Sequence, residues 1–299
     1  MRITTGGRYP GLAEFPGHME VAVQVGQPSR TALSVALVRA THQSTASPRV
    51  FDDPLAVPMV GLAATELTAS SEYWIPEQVH PWIVTRFRFA EDTIGAAVAT
   101  GTRQVVFLGA GLETFAYRNP YPDLRVFEVD HPRTQEWKRL RLREAGIRIP
   151  PSLTFVPADF EREPLGVALA RAGFDRGAAT IFVCLGVVVY LTEQAALDML
   201  SFTAGLDAPT QVIVDYNDLP TALPPDRGAT LASVMQRVAE RGEPWQCFFP
   251  PDELVQQLRS MGFTEITDST VPELLAHYGF EPSADNDPFA AHILHATRR

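Results

Sequence analysis

The sequence predicts an α/β fold built on a mostly parallel, doubly wound sheet. Three observations predict it. After residue 100, short runs rich in Val, Ile and Phe alternate with longer stretches of helical periodicity, the pattern of parallel strands joined by crossover helices. The first of these runs, Val105-Val106-Phe107-Leu108, passes directly into Gly109-Ala110-Gly111. The second ends on an acid, Asp130, in the string FEVDH.

Taken in order, residues 1–27 carry Gly6, Gly7, Pro10, Gly11 and Pro16 without periodicity and are expected to form a loose arm. Residues 28–100 are expected to form a helical cap. Apolar positions recur at helical spacing from Thr31 to Ala40, Asp52-Asp53-Pro54 looks like a helix start, and the amphipathic stretch Trp82–Thr100 stops at Gly101. Residues 101–299 are expected to form the core, with C-terminal elements on the substrate side. Strands are predicted at Gln104–Leu108, Arg125–Val129, Thr154–Pro157, Thr180–Cys184 and Gln211–Asp215, with a further one at His292–Ala296. Helices are predicted near Thr114 and over Thr134–Ala145, Leu165–Ala172, Glu193–Ala204 and Pro251–Met261, the last closed by Gly262.

Composition narrows the function. Of 299 residues 45% are hydrophobic and 20% charged, as in an ordinary folded enzyme, and the net charge of −10 argues against a phosphate-binding face for nucleic acid. Cys184 and Cys247 lie far apart in apolar surroundings and read as buried thiols of a reducing compartment. The N-terminal string MRITTGGRYPGLAEF lacks the apolar centre of a secretory signal, and no run reaches the ~20 apolar residues of a membrane span. A cytoplasmic monomer or homodimer is expected.

The strand-turn-helix at Gly109-Ala110-Gly111 suits a nucleotide site, because a residue without Cβ lets the backbone turn tightly and approach a ligand closely. Asp130 stands where a doubly wound fold places a carboxylate for ribose hydroxyls, with His131 beside it. A dinucleotide fingerprint would require a third glycine near a pyrophosphate, but Thr114 occupies that position. A nucleoside without phosphate, such as S-adenosylmethionine, needs no such approach. Asp159, with Phe160 next to it, follows another strand and suits an adenine amino group or, equally, a helix cap.

The strings FLGAGLETFAYR, VFEVDHPRTQEWKR, VPADFE and LGVVVYLTEQA, with SRTALSVALVRA, VFDDPLA, RFRFAED, GEPWQCFFPPDEL and MGF around them, resemble the leucine carboxyl methyltransferase family, specifically its bacterial branch. The likeness runs from about residue 28 to the end. It implies a Rossmann-like class I methyltransferase fold with a seven-stranded, mostly parallel sheet, an N-terminal helical cap and S-adenosyl-L-methionine as cofactor. It further implies that Arg86 binds the methionine carboxylate, that Gly109, Ala110 and Gly111 pass beneath the cofactor, that Asp130 holds the ribose, and that Asp159 and Phe160 frame the adenine. Leu185 borders the cofactor where eukaryotic members carry a Glu thought to meet its amino group. Those members also carry Arg at the position of Glu161, which weighs against a protein C-terminal carboxylate as the acceptor here. Cys184 replaces a Trp common among bacterial relatives.

The acceptor implied is a carboxylate or hydroxyl oxygen on a small molecule. A carboxylate is ionised at neutral pH and needs no base, whereas a hydroxyl needs one. Tyr190, closing the strand-like LGVVVYLT segment, is the first candidate to line the acceptor pocket, and Tyr117 the second. His292 and His295 lie three apart in a predicted strand and face opposite sides, so no metal site is expected. A nicotinamide-dependent reductase with a Tyr four residues before a Lys is ruled out, because the single lysine, Lys138, follows Thr134 at that spacing. No GxSxG nucleophile elbow is present. A non-catalytic sensor of adenosylmethionine is the alternative from a different class.

Overall fold

The computed structural model describes residues 29–45, 49–61, 75–240, 242–281, 287 and 289–299; the expected arm at 1–27 lies outside them. Among the described residues, three α-helices precede the sheet: α1 (Arg30–Thr45), α2 (Ala56–Val60) and α3 (His80–Ala99). The helix expected to start at Asp52-Asp53-Pro54 begins later, at Ala56, because Asp53 is taken into the interior instead.

The sheet has seven strands: β1 (Gln104–Leu108), β2 (Arg125–Asp130), β3 (Leu153–Pro157), β4 (Thr180–Cys184), β5 (Thr210–Asn217), β6 (Glu265–Thr270) and β7 (Ala291–Arg298). Their order is β3-β2-β1-β4-β5-β7-β6, with β7 antiparallel to both neighbours and every other pairing parallel. The helices between them are α4 (Phe115–Arg118), α5 (Pro132–Glu144), α6 (Leu165–Arg171), α7 (Glu193–Ala204), α8 (Pro225–Glu240), α9 (Pro251–Met261) and α10 (Val271–His277). The sequence reading missed β6, α8 and α10. The expected strand through LGVVVYLT is a 3₁₀ turn at Val188–Tyr190. Among the described residues no helix is long and apolar enough to cross a membrane.

Alternation along the central strands builds two cores, one on each face of the sheet. Val106, Leu108, Phe127, Val129, Phe182 and Val212 pack with Leu165, Leu200 and Leu258 of α6, α7 and α9. Val105, Phe107, Val126, Ile181 and Ile213 pack with Ile83, Ala90 and Ile94 of α3 and Leu275 of α10. Because β1 has β2 on one side and β4 on the other, chain order reverses there, and a crevice opens at the strands' carboxyl ends.

Two buried ionic groups stand behind that crevice. Asp53 is fully buried and accepts from the Thr114 hydroxyl at 2.7 Å; Arg118 Nε lies 3.3 Å from it and Arg39 Nη1 3.6 Å. Arg39 also donates to the Leu112 carbonyl, and Arg118 to Glu91. The group thus binds α1, α3 and the turn after β1 together. Removing one member strands the others in low dielectric. Asp53→Asn is therefore expected to cost about 3–5 kcal/mol of unfolding free energy in urea titration.

The second group pairs Lys138 Nζ with Glu128 Oε2 at 2.7 Å, both 1% exposed. Burial pushes the Glu128 carboxyl up to about 7, with Lys138 pulling against it. The native state therefore holds a proton that an unfolded carboxyl, ordinarily at 4.5, has released, so this pair's contribution to stability falls as pH rises from about 4.5 to 7. Wild type should lose stability between pH 5 and pH 8 relative to the double variant Glu128→Gln, Lys138→Met, as read by urea unfolding at both values.

Candidate active site

The turn and the acid singled out in the sequence meet. Gly109 and Gly111 have φ of 66° and 46°, conformations costly for residues with a side chain. A Cβ on Gly109 would also stand 2.3 Å from Val187. The turn is tied to the next strand by the Gly111 N–H, which donates to Asp130 Oδ2, while the His131 N–H donates to Asp130 Oδ1 at 2.6 Å. Burial raises the Asp130 carboxyl above its usual range, and these two backbone donors oppose the shift. Both oxygens keep a lone pair, since a carboxylate accepts about four hydrogen bonds.

A cavity opens over this junction, lined by Arg86, Gly109, Ala110, Gly111, Asp130 and His131, and further by Asp159, Phe160, Leu185 and Tyr190. All the expected site residues except Tyr117 are therefore brought together. Tyr117 does not line the cavity; its hydroxyl donates to Glu128 Oε2 at 3.3 Å and its ring lies 5.5 Å from Lys138 Nζ. His131 caps α5 through Nδ1, which accepts from the Arg133 N–H at 3.3 Å. Asp159 spends Oδ1 on the Glu161 N–H at 3.0 Å, the turn-capping alternative, while Oδ2 lies 3.4 Å from Arg162. Glu161 accepts from the Thr192 N–H at 2.7 Å and hydroxyl at 3.0 Å, bracing the start of α7.

Arg86, 6% exposed, projects from α3 and donates from Nη1 to Asp215 Oδ2 at 2.7 Å. Its guanidinium carbon lies 5.5 Å from the Phe87 ring centroid and 6.0 Å from that of Trp82. Its Nε is buried and has no hydrogen-bond partner among the described residues. Asp215 was absent from the sequence reading, although it closes a predicted strand just as Asp130 does; that position was the available signal.

Tyr190 shares its surroundings with Glu243, Thr31 and Trp245, and burial, with Glu243 beside it, pushes its phenol up to about 12. Glu243, also missed, accepts from the backbone N–H of Arg30 at 2.9 Å and of Thr31 at 3.2 Å, capping α1 from more than two hundred residues away. No local pattern announces such a cap. His292 and His295, away from the cavity, engage Asp268 at 3.1 Å and Gln211 at 2.9 Å. Cys184 and Cys247 are free and buried.

The chain is similar to several known proteins. YktD of Bacillus subtilis, named as an S-adenosyl-L-methionine-dependent methyltransferase, is 28% identical over 302 residues, covering 91% of this chain and 98% of its own. A Mycobacterium bovis protein of the same description is 30% identical over 272 residues, 83% of this chain and 87% of its own. Among solved structures, the magnesium protoporphyrin IX methyltransferase ChlM of Synechocystis with bound SAH aligns over 76% of this chain and 89% of its own, at 14% identity and a TM-score of 0.47. The model of the leucine carboxyl methyltransferase family matches residues 32–204, and the chain belongs to that family.

Proposed function

We propose that this S-adenosylmethionine-dependent methyltransferase transfers a methyl group to a carboxylate or hydroxyl oxygen of a small molecule. The observation that carries the cofactor reading is the convergence of Gly111 and Asp130 on one cavity at the sheet's switch point.

The residues fit the cofactor. Asp130 retains acceptor capacity for ribose hydroxyls, and the glycine turn leaves its backbone bare for a nucleoside. The buried Arg86 Nε has no hydrogen-bond partner among the described residues and suits a carboxylate, which a guanidinium grips through two parallel N–H groups. Phe160 and Asp159 border the same space on the adenine side. When bound, the sulfonium supplies an activated methyl group. The protein's own work is to exclude water and to hold the acceptor oxygen about 3 Å from the methyl carbon, in line with the sulfur.

Tyr190 supports a small-molecule acceptor. Its phenol, held protonated, can donate to an acceptor oxygen, and Trp82, Trp245 and Phe289 give the adjoining wall apolar bulk. Glu161 weighs against a peptide C-terminus, since a carboxylate engaged with Thr192 offers no cation there.

Asp130→Ala should weaken S-adenosylhomocysteine binding by about 1–3 kcal/mol in calorimetry, the usual cost of stranding hydrogen-bond partners. Unchanged affinity would remove Asp130 from the ribose. Tyr190→Phe should lower kcat/KM for the acceptor about five- to tenfold, as expected for one lost hydrogen bond, with cofactor affinity unaltered. The acceptor itself is found by incubating the protein with methyl-labelled cofactor and a panel of carboxylic acids and phenols. Cofactor binding with no transfer to any of them would favour the sensor.

A further inference from the structure

The amino-acid end of adenosylmethionine is a zwitterion, so a site that reads it needs a carboxylate for the ammonium as well as a cation for the carboxylate. Leu185, where the family likeness would place that carboxylate, is aliphatic. The register of the sheet shows what stands next to it. β4 and β5 run parallel with Cys184 opposite Val214, so the next pair along is Leu185 and Asp215, at the carboxyl ends where the cavity opens. A carboxylate is thus present at the same level, one strand over.

Asp215 is 6% exposed and borders the cavity, an unusual position for a charge unless something requires it. Its two oxygens are each engaged once: Oδ1 accepts from the Gly186 N–H at 2.6 Å and Oδ2 from Arg86 Nη1 at 2.7 Å. Each therefore keeps further acceptor capacity. On Arg86, using Nη1 leaves the Nε–Nη2 edge, which can form two parallel hydrogen bonds, without a hydrogen-bond partner among the described residues. Gly186, at φ 69°, lays its backbone against the guanidinium, where a Cβ would stand 3.1 Å from Nη2 and 3.5 Å from Nη1. A lone Arg–Asp tie between α3 and β5 would not need the bare edge.

We infer that Asp215 is a cofactor-binding residue: it receives the ammonium of the amino-acid end in place of the carboxylate missing at Leu185, and it orients Arg86 toward the carboxylate of that same end. The inference rests on reading the cavity as the adenosylmethionine site. The two roles alternate the charges of Arg86, Asp215 and the zwitterion, so no buried charge is left uncompensated.

Calorimetry on the full chain with three ligands tests it: S-adenosylhomocysteine, its deaminated analogue, and 5′-methylthioadenosine, which lacks the amino-acid end altogether. Wild type should bind S-adenosylhomocysteine about 10- to 100-fold more tightly than the deaminated analogue, the range for a hydrogen bond to a charged group. Asp215→Asn should reduce that ratio to about one to three while 5′-methylthioadenosine affinity stays within about threefold. Asp215→Glu, which keeps the charge, should retain more of the ratio than Asn does. The inference is overturned if wild type does not discriminate, if Asp215→Asn discriminates as wild type does or loses all adenosine ligands in equal proportion, or if the Glu variant is no better than Asn. Wild type that binds none of the three ligands would instead refute the cofactor reading itself.

Discussion

The hydrogen bond from the Gly111 N–H to the Asp130 carboxylate is the constraint on which the rest of the site depends. It couples the turn after β1 to the end of β2, two places brought level by the parallel register that sets Leu108 opposite Val129. Because Gly111 sits in the left-handed region and Ala32 of α1 lies 3.4 Å from where its Cβ would be, the turn is fixed from the sheet side and the helical side at once. A carboxylate held this way is pre-oriented before any ligand arrives, which limits the ordering entropy that binding must offset.

Behind that junction the chain uses buried charge to fix helices that precede the sheet. Arg39 reaches the Leu112 carbonyl, Thr114 bonds Asp53, and Arg118 joins Glu91, so α1 and α3 register directly against the cofactor turn. Arg86 then arrives on α3 at the opposite wall of the cavity, beside β4 and β5. Glu243 closes the arrangement by capping α1 from the segment after α8. The same α1 therefore touches the glycine turn at one point and the surroundings of Tyr190 at another, which links two regions of the cavity.

Much of the fold was legible in the sequence because the buried parallel strands are short, continuous apolar runs bounded by turn residues. Gln104–Leu108 and Thr180–Cys184 match their predicted bounds for that reason. β6 escaped because its segment, EITDST, is largely polar and lies at the sheet edge. A motif and a likeness pointed to Asp130 and Arg86, which line the cavity, whereas Asp215 and Glu243 owe their place to contacts across long stretches of chain. Tyr117 is close to the glycine turn in sequence, but its hydroxyl and ring engage the buried Glu128–Lys138 pair, a contact that no local pattern announces.

The most direct measurement is a crystal structure of the protein soaked with S-adenosylhomocysteine. Ribose hydroxyls within hydrogen-bonding distance of Asp130, with the adenosine lying over Gly109–Gly111, is the result expected. A nucleoside bound elsewhere, or excluded by the Gly111–Asp130 hydrogen bond, would contradict it.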